Sequence, residues 1–370
     1  MHKKEHLNEI EMLRVVACVS IILFHAIHLE VGKEYNGEGL IEFVLLTISG
    51  LLAFGTPVFV SISAIVLAYS YPDNIPSHYY GKRLKFILIP FISMGIIYAI
   101  SSNAGTVSRI PAAIMFNMLG NYHGWFVLVI FQFYILHHLF TKYLSRIPPT
   151  LMLLSAFAVN MAYLGFFNFV HPPGDNIYFQ HLWERWYWYP FSAWLFYYTL
   201  AYYIGKNYHE VILFINKYLI WILIGLPLTV VLIIMDNIYL ELPYGSKRVD
   251  MILFTVLSIF ILLFVCHKFK NIPVLFDVIS RYSFGIYLLH WAGLFLAKKA
   301  FIWFGIDFGY FNIILWFFIS IVSSILVIHL LNKFPFGKYI VGRVKQKKNQ
   351  LVPGSKKEEH EYKANFSLYN

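Results

Sequence analysis

The sequence predicts an all-α, polytopic membrane protein of about ten transmembrane helices with both termini in the cytoplasm. Three observations carry that prediction. Apolar residues make up 59% of the chain and charged residues only 13%, with a mean hydropathy of +0.63. Soluble chains carry about 25% charged residues to cover their surface. The apolar residues also gather into runs of about 20, the length at which a helix spans a ~30 Å hydrocarbon core. Finally, most Lys and Arg residues fall on one side of those runs. The same figures exclude disorder, a coiled coil, a secreted disulfide scaffold and most soluble enzymes.

The runs cover roughly 12–29, 41–71, 84–101, 122–141, 150–170, 188–206, 214–235, 249–267, 280–302 and 309–331. The first follows a basic start, Met1-His2-Lys3-Lys4, like that of a signal peptide. Arg14 and His25 interrupt the run and no small-residue cleavage site follows, so it reads as a retained span. The second is too long for one straight helix. Gly50, Gly55 and Pro57 divide it into an amphipathic lead-in and a helix from about Gly55. Residues 106–120 are apolar but broken by Pro111 and Gly120, the pattern of a re-entrant or interfacial stretch.

With ten spans both termini share one side, and that side holds 22 of the 29 Lys and Arg residues. Lys33, Arg109, Arg185, Lys247, Arg248, Lys298 and Lys299 lie opposite. The positive-inside rule makes the rich side cytoplasmic. The chain then divides into a transmembrane domain, 1–335, and a basic cytoplasmic tail, 336–370, solvated near anionic headgroups. Nucleic-acid binding needs a basic folded face, which the sequence does not offer. Cys18 and Cys266 sit in apolar runs and read as inert small hydrophobes, not as a disulfide or a zinc site.

Ionisable residues inside a span are costly and mark function by default. Arg14 and His25 are eleven residues apart, which returns to nearly the same helix face about 16 Å further along the axis. The plain alternatives are a snorkelling Arg14 paired with Glu11 and a structural His25 bonded to a neighbouring helix. His28 lies nearer the outer boundary and reads as interfacial. Lys82, Arg83 and Lys85 gather before Pro90, either as topology signals or as a phosphate site. His123 and Trp125 enter the fourth span from outside, as an aromatic belt or as a sugar-stacking surface. His290 is a further imidazole within the ninth span. His181, Glu184 and Arg185 crowd an aromatic loop that reads mainly as an interfacial girdle. No nucleophile elbow, Walker loop, dinucleotide fingerprint or metal cluster stands out.

Taken together these motifs resemble the membrane acyltransferase 3 family. Arg14-x10-His25 is similar to its first-span signature, and Phe54-Gly55-Thr56-Pro57-Val58-Phe59 to its second-span pattern. Arg83 to Pro90, His123-Gly124-Trp125-Phe126 and Phe284 to His290 complete the resemblance from about residue 8 to 335. Within the family the chain is most similar to the polysaccharide intercellular adhesin protein C group. Its departures are Ala64 where the family has glycine, Lys85 where it has arginine, and no extracytoplasmic hydrolase-like domain.

The resemblance implies an O-acyltransferase of the bacterial cell membrane. It would move an acetyl or succinyl group from cytoplasmic acyl-CoA, a co-substrate and not a bound cofactor, to a hydroxyl of a cell-surface polysaccharide such as poly-N-acetylglucosamine. His25 would be the general base, Arg14, Lys82, Arg83 and Lys85 would hold the donor, and His123, Trp125 and His290 would contact the acceptor. The alternatives are an exporter of poly-β-1,6-N-acetyl-D-glucosamine, or a scaffold for a membrane glycosyltransferase, itself a further partner. The topology predicts that a reporter enzyme fused to the C-terminus is active in the cytoplasm; activity outside the cell would overturn it.

Overall fold

A computed structural model describes residues 7–31, 39–72, 75–76, 78–143, 146–240, 242, 244–269 and 271–344. The basic start at residues 1–4, Lys33 and the tail from residue 345 lie outside the described residues. All regular structure among the described residues is helical.

Helix α1 (Asn8–Glu30) crosses the middle of the bundle and packs against most of its neighbours. Glu9 and Glu11 stand in its first turn, where carboxylates complement the helix dipole. Helices α2 (Leu40–Leu52) and α3 (Gly55–Ser70) form one apolar stretch that bends at Ala53-Phe54. Helix α3 therefore begins at the glycine the sequence singles out. The reason is contact: a Cβ on Gly55 would sit 2.8 Å from the Ala17 carbonyl oxygen of α1. Small residues let apolar helices approach this closely.

Helix α4 (His78–Arg83) runs through one wide π-turn, Leu84–Leu88, into α5 (Ile89–Ser102). Pro90 explains the turn. In a regular helix its ring would press on the carbonyl four residues back, at Phe86. Instead the Ile89 amide bonds Leu84, five residues back.

Helix α6 (Ile110–Met118) occupies the stretch expected to be broken by Pro111. Pro111 starts this helix instead of breaking it, since first-turn positions need no amide hydrogen. Gly120, at φ 96°, ends the stretch as expected.

Helices α7 (Phe126–Lys142) and α8 (Pro149–Phe169) follow, then the short α9 (Ile177–Glu184). The run expected over 188–206 is helical only in α10 (Leu195–Lys206), twelve residues long. Its first third coils into 3₁₀ turns on either side of Pro190. At 1.5 Å per residue α10 covers about 18 Å, and the 3₁₀ turns make up the rest of the run. It is buried between α3 and α8.

The chain closes with α11 (Tyr208–Tyr239), α12 (Met251–His267), α13 (Val274–Phe304) and α14 (Asn312–Leu331). Seven helical stretches among the described residues are long and apolar enough to cross a membrane. Helices α8, α11 and α14 expose rows of large apolar side chains, among them Leu154, Phe166, Trp221, Leu228, Phe318 and Val322. Such rows suit a lipid surface.

The α1–α3 crossing predicts that Gly55→Val lowers the melting temperature of the purified protein, by about 1–3 kcal/mol of overpacking. Gly81→Ala meets nothing within 4 Å and should leave it level or raised. Equal behaviour of the two variants would refute the close crossing.

Candidate functional site

Three of the predicted histidines come together from three separate elements. His25 is on α1, His290 is on α13, and His123 lies in a 3₁₀ turn before α7. The rings of His25 and His290 stack with centroids 5.3 Å apart, and those of His123 and His290 meet edge-on at 5.2 Å. Trp291 flanks His25 at 5.0 Å and Tyr98 flanks His123 at 4.7 Å.

Backbone carbonyls set two of the three tautomers. A carbonyl oxygen only accepts, so the nitrogen facing it carries the hydrogen. His123 Nε2 donates to the Leu288 carbonyl at 2.9 Å. Tyr98 Oη donates to the same oxygen at 3.0 Å and receives the Ala292 amide at 3.3 Å. The Tyr287 hydroxyl donates to the carbonyl of His123. His290 Nδ1 donates to the Tyr287 carbonyl at 2.7 Å. That leaves His290 Nε2 as a bare lone pair, buried and without a hydrogen-bond partner among the described residues.

His290 also lines a tight seam with Cys18, Ile21, Ile22, Phe59 and Tyr287. His25 is half-buried beside it, one turn along α1 from Ile22. Another interior histidine sharpens the contrast. His137 Nε2 meets the Tyr71 carbonyl at 3.1 Å and its Nδ1 meets Tyr198 Oη at 3.3 Å, so both nitrogens are taken. His137 therefore has the bonding of a structural residue, and His290 does not. His28 is tied back to the Phe24 carbonyl at 3.1 Å.

Trp125 shares a turn with His123 but serves a different surface. It stacks on Trp194 at 5.7 Å and on Tyr189 at 6.2 Å. Over this surface lies Lys247, with Nζ 4.0 Å from the Trp188 ring centroid and 5.3 Å from that of Trp125. The loop between α11 and α12 holds it there. Asn168 donates to the Lys247 carbonyl at 3.1 Å and accepts the Val249 amide at 2.9 Å. The next residue, Arg248, is buried against Asp250 and Asn237. Lys247 is in electrostatic reach of His25 and His28. Burial and the nearby Arg185 lower its pKa to about 8. Sequence reasoning counts Lys247 only as an outer-side charge, since nothing in Gly245-Ser246-Lys247-Arg248 reveals the tryptophans it will meet.

The predicted donor cations divide into separate neighbourhoods. Arg14 pairs with Glu11 at 2.7 Å, and Glu11, itself buried, also accepts from Ser280 on α13. The i,i+3 pairing foreseen as the plain reading of Arg14 is thus present. Arg83 lies over Tyr79 at 4.8 Å and Tyr134 at 5.4 Å. Lys85 is exposed and turns towards Tyr339 at 5.6 Å. Lys82 is half-buried between them in the chain.

Comparison with known proteins agrees with this arrangement of motifs. An acyltransferase domain model matches residues 7–333. YfiQ of Bacillus subtilis (strain 168), named as a candidate membrane-bound acyltransferase, is 33% identical over 94% of this chain and 97% of its own length. Proteins of Staphylococcus aureus (strain Mu50) and Staphylococcus epidermidis, named as candidate poly-β-1,6-N-acetyl-D-glucosamine export proteins, are each 30% identical. The alignments cover 76% and 78% of this chain and 81% of each relative. No solved structure matches the chain. The chain belongs to the acyltransferase family that this domain defines, and it is a multi-pass bacterial membrane acyltransferase.

Proposed function

We propose that the protein transfers an acyl group from cytoplasmic acyl-CoA to a hydroxyl of an extracellular polysaccharide such as poly-N-acetylglucosamine. The observation that carries this reading is the imidazole cluster: His25 stacked on His290, whose Nε2 lone pair is buried and bare. Both termini, Arg14 and Lys82–Lys85 face the cytoplasm in this reading. The phosphates of the donor meet those cations, and His25 stands about 16 Å further along α1.

The chemistry balances without a covalent enzyme intermediate. A nitrogen of His25 takes the proton of the acceptor hydroxyl. The oxygen attacks the thioester carbonyl carbon, a C–O bond forms and the C–S bond breaks. The thiolate of coenzyme A leaves with the electron pair and takes up the proton that His25 removed, which restores the neutral imidazole. His290 and His123, with tautomers set by the α13 backbone, orient the reacting groups. Trp125 offers its face to the sugar, and Lys247 bounds that surface with a cation.

A second reading is export of poly-β-1,6-N-acetyl-D-glucosamine, for which the names of the staphylococcal relatives speak. A scaffold for a membrane glycosyltransferase would need neither His25 nor an acyl donor. Ester analysis of surface glycans separates the three. His25→Ala at normal protein level should lower ester content by about 10²-fold or more while polymer amount stays constant. Unchanged esters would reject His25 as the base, and polymer trapped inside a deletion strain would favour export.

The acceptor surface carries a pH signature. Lys247 is protonated below about 8 and neutral above it, and only the cation binds the tryptophan faces. Transfer by the wild type should therefore decline as pH rises through about 8. Lys247→Met should start lower and lack that decline. A decline that persists in the variant assigns it to another group.

A further inference from the structure

The segment after α14 does not leave the bundle as a tail. Residues 333–344 fold back across the end that holds Arg14, through a 3₁₀ turn at Gly337–Tyr339. Asn332 Nδ2 donates to the Gly342 carbonyl at 3.3 Å, and Ser93 Oγ on α5 donates to the Tyr339 carbonyl at 3.0 Å. Val341 is buried. Gly342 adopts φ 84°, and a Cβ there would lie 2.5 Å from the Phe284 ring of α13. The return is thus held by hydrogen bonds at Tyr339 and Gly342, and position 342 has no room for a side chain.

This return completes an aromatic plate beside the π-turn. The rings of Phe86 and Tyr339 are parallel within 7° at 6.1 Å. Cations surround them: Lys85 Nζ is 5.8 Å from Phe86 and 5.6 Å from Tyr339, Lys338 Nζ is 5.3 Å from Tyr339, and Arg343 Cζ is 5.7 Å from Phe86. Lys85 and Arg343 are exposed. No carboxylate pairs with Lys85, Lys338 or Arg343 among the described residues. The sequence leaves little chance of one, since it holds no Asp or Glu from residue 74 to 174 or from 308 to 357. Glu11 on α1 and Asp277 on α13 already hold Arg14 and Arg281. Three like charges gathered without a counter-charge repel one another, and a dianion placed among them removes that repulsion. The flat rings add a stacking face.

We infer that Lys85, Lys338 and Arg343, set around Phe86 and Tyr339, form a binding site for a phosphate-bearing ligand. Two sources share that chemistry: the phosphates of the acyl donor, an identification that rests on the donor reading above, and the phosphate headgroup of an anionic lipid. In either case the C-terminal return belongs to the binding machinery, not to a solvated tail.

The test uses the full chain in phosphatidylcholine nanodiscs. Coenzyme A is titrated in one arm, and phosphatidylglycerol replaces part of the lipid in the other, with melting temperature as the readout. The double variant Lys338→Gln/Arg343→Gln should weaken coenzyme A binding about tenfold or more, and Lys338→Arg/Arg343→Lys should restore it. If coenzyme A binding is unchanged but the stabilisation by phosphatidylglycerol is lost, the site stands and the headgroup is its ligand. If wild type binds no coenzyme A yet loses lipid stabilisation on mutation, the donor reading fails while the phosphate site survives. Loss of neither response in the double variant overturns the inference. Arg343 is exposed and Lys338 half-buried, and the charge-retaining variant separates a folding defect from a lost charge.

Discussion

A polar atom that this bundle carries into its apolar interior is costly unless it finds a partner within the protein, because lipid offers none. The backbone of α13 supplies several of those partners at once. Its carbonyls at Leu288 and Tyr287 receive His123, Tyr98 and the Nδ1 of His290. A helical carbonyl keeps a second lone pair after making its ladder bond, so α13 can hold foreign side chains without unwinding. The positions of His123 and His290, and through ring stacking that of His25, all depend on this one stretch of backbone. Ser320 on α14 braces it in turn by donating to the His290 carbonyl at 2.8 Å.

The same constraint explains what the sequence revealed. Long apolar runs and the charge asymmetry are local properties, so α1, α5, α8, α11 and α14 were legible in order and nearly in extent. The start of α3 was legible because Gly55 marks a close crossing, and the Arg14–Glu11 pair because i,i+3 partners are fixed by helix geometry. What failed was decided by contacts distant in sequence. Pro111 signals a break or a start with the same side chain, and only the surrounding chain chooses. The 188–206 run keeps its apolar extent, but aromatic 3₁₀ turns take its first third and only its last twelve residues form regular α-helix.

The site was legible as a set of residues and not as an arrangement. His25 and His290 are 265 positions apart, and no periodicity links them; only the packing of α1 on α13 does. Lys247 and Arg343 look like any solvated cation in sequence. Their meaning comes from the rings they lie over, which belong to the turn before α7, to the turns before α10 and to the π-turn. Cation–π geometry joins residues by shape and leaves no fixed spacing to read.

The contrast between His137 and His290 carries the argument for a working site furthest. Both are fully buried histidines on helices that face the interior. Burying an imidazole costs little if both nitrogens find partners, as His137's do. Leaving one acceptor bare in an apolar setting costs about 1–3 kcal/mol, and a valine or leucine of similar shape would avoid that cost. The bundle nevertheless leaves that nitrogen bare and stacks a second imidazole on the ring. An acceptor hydroxyl that reached the bare nitrogen would supply the missing hydrogen bond. In the proposed transfer the substrate would thereby complete the hydrogen bonding of His290, and the binding free energy so gained would be directed at the atom that must lose its proton.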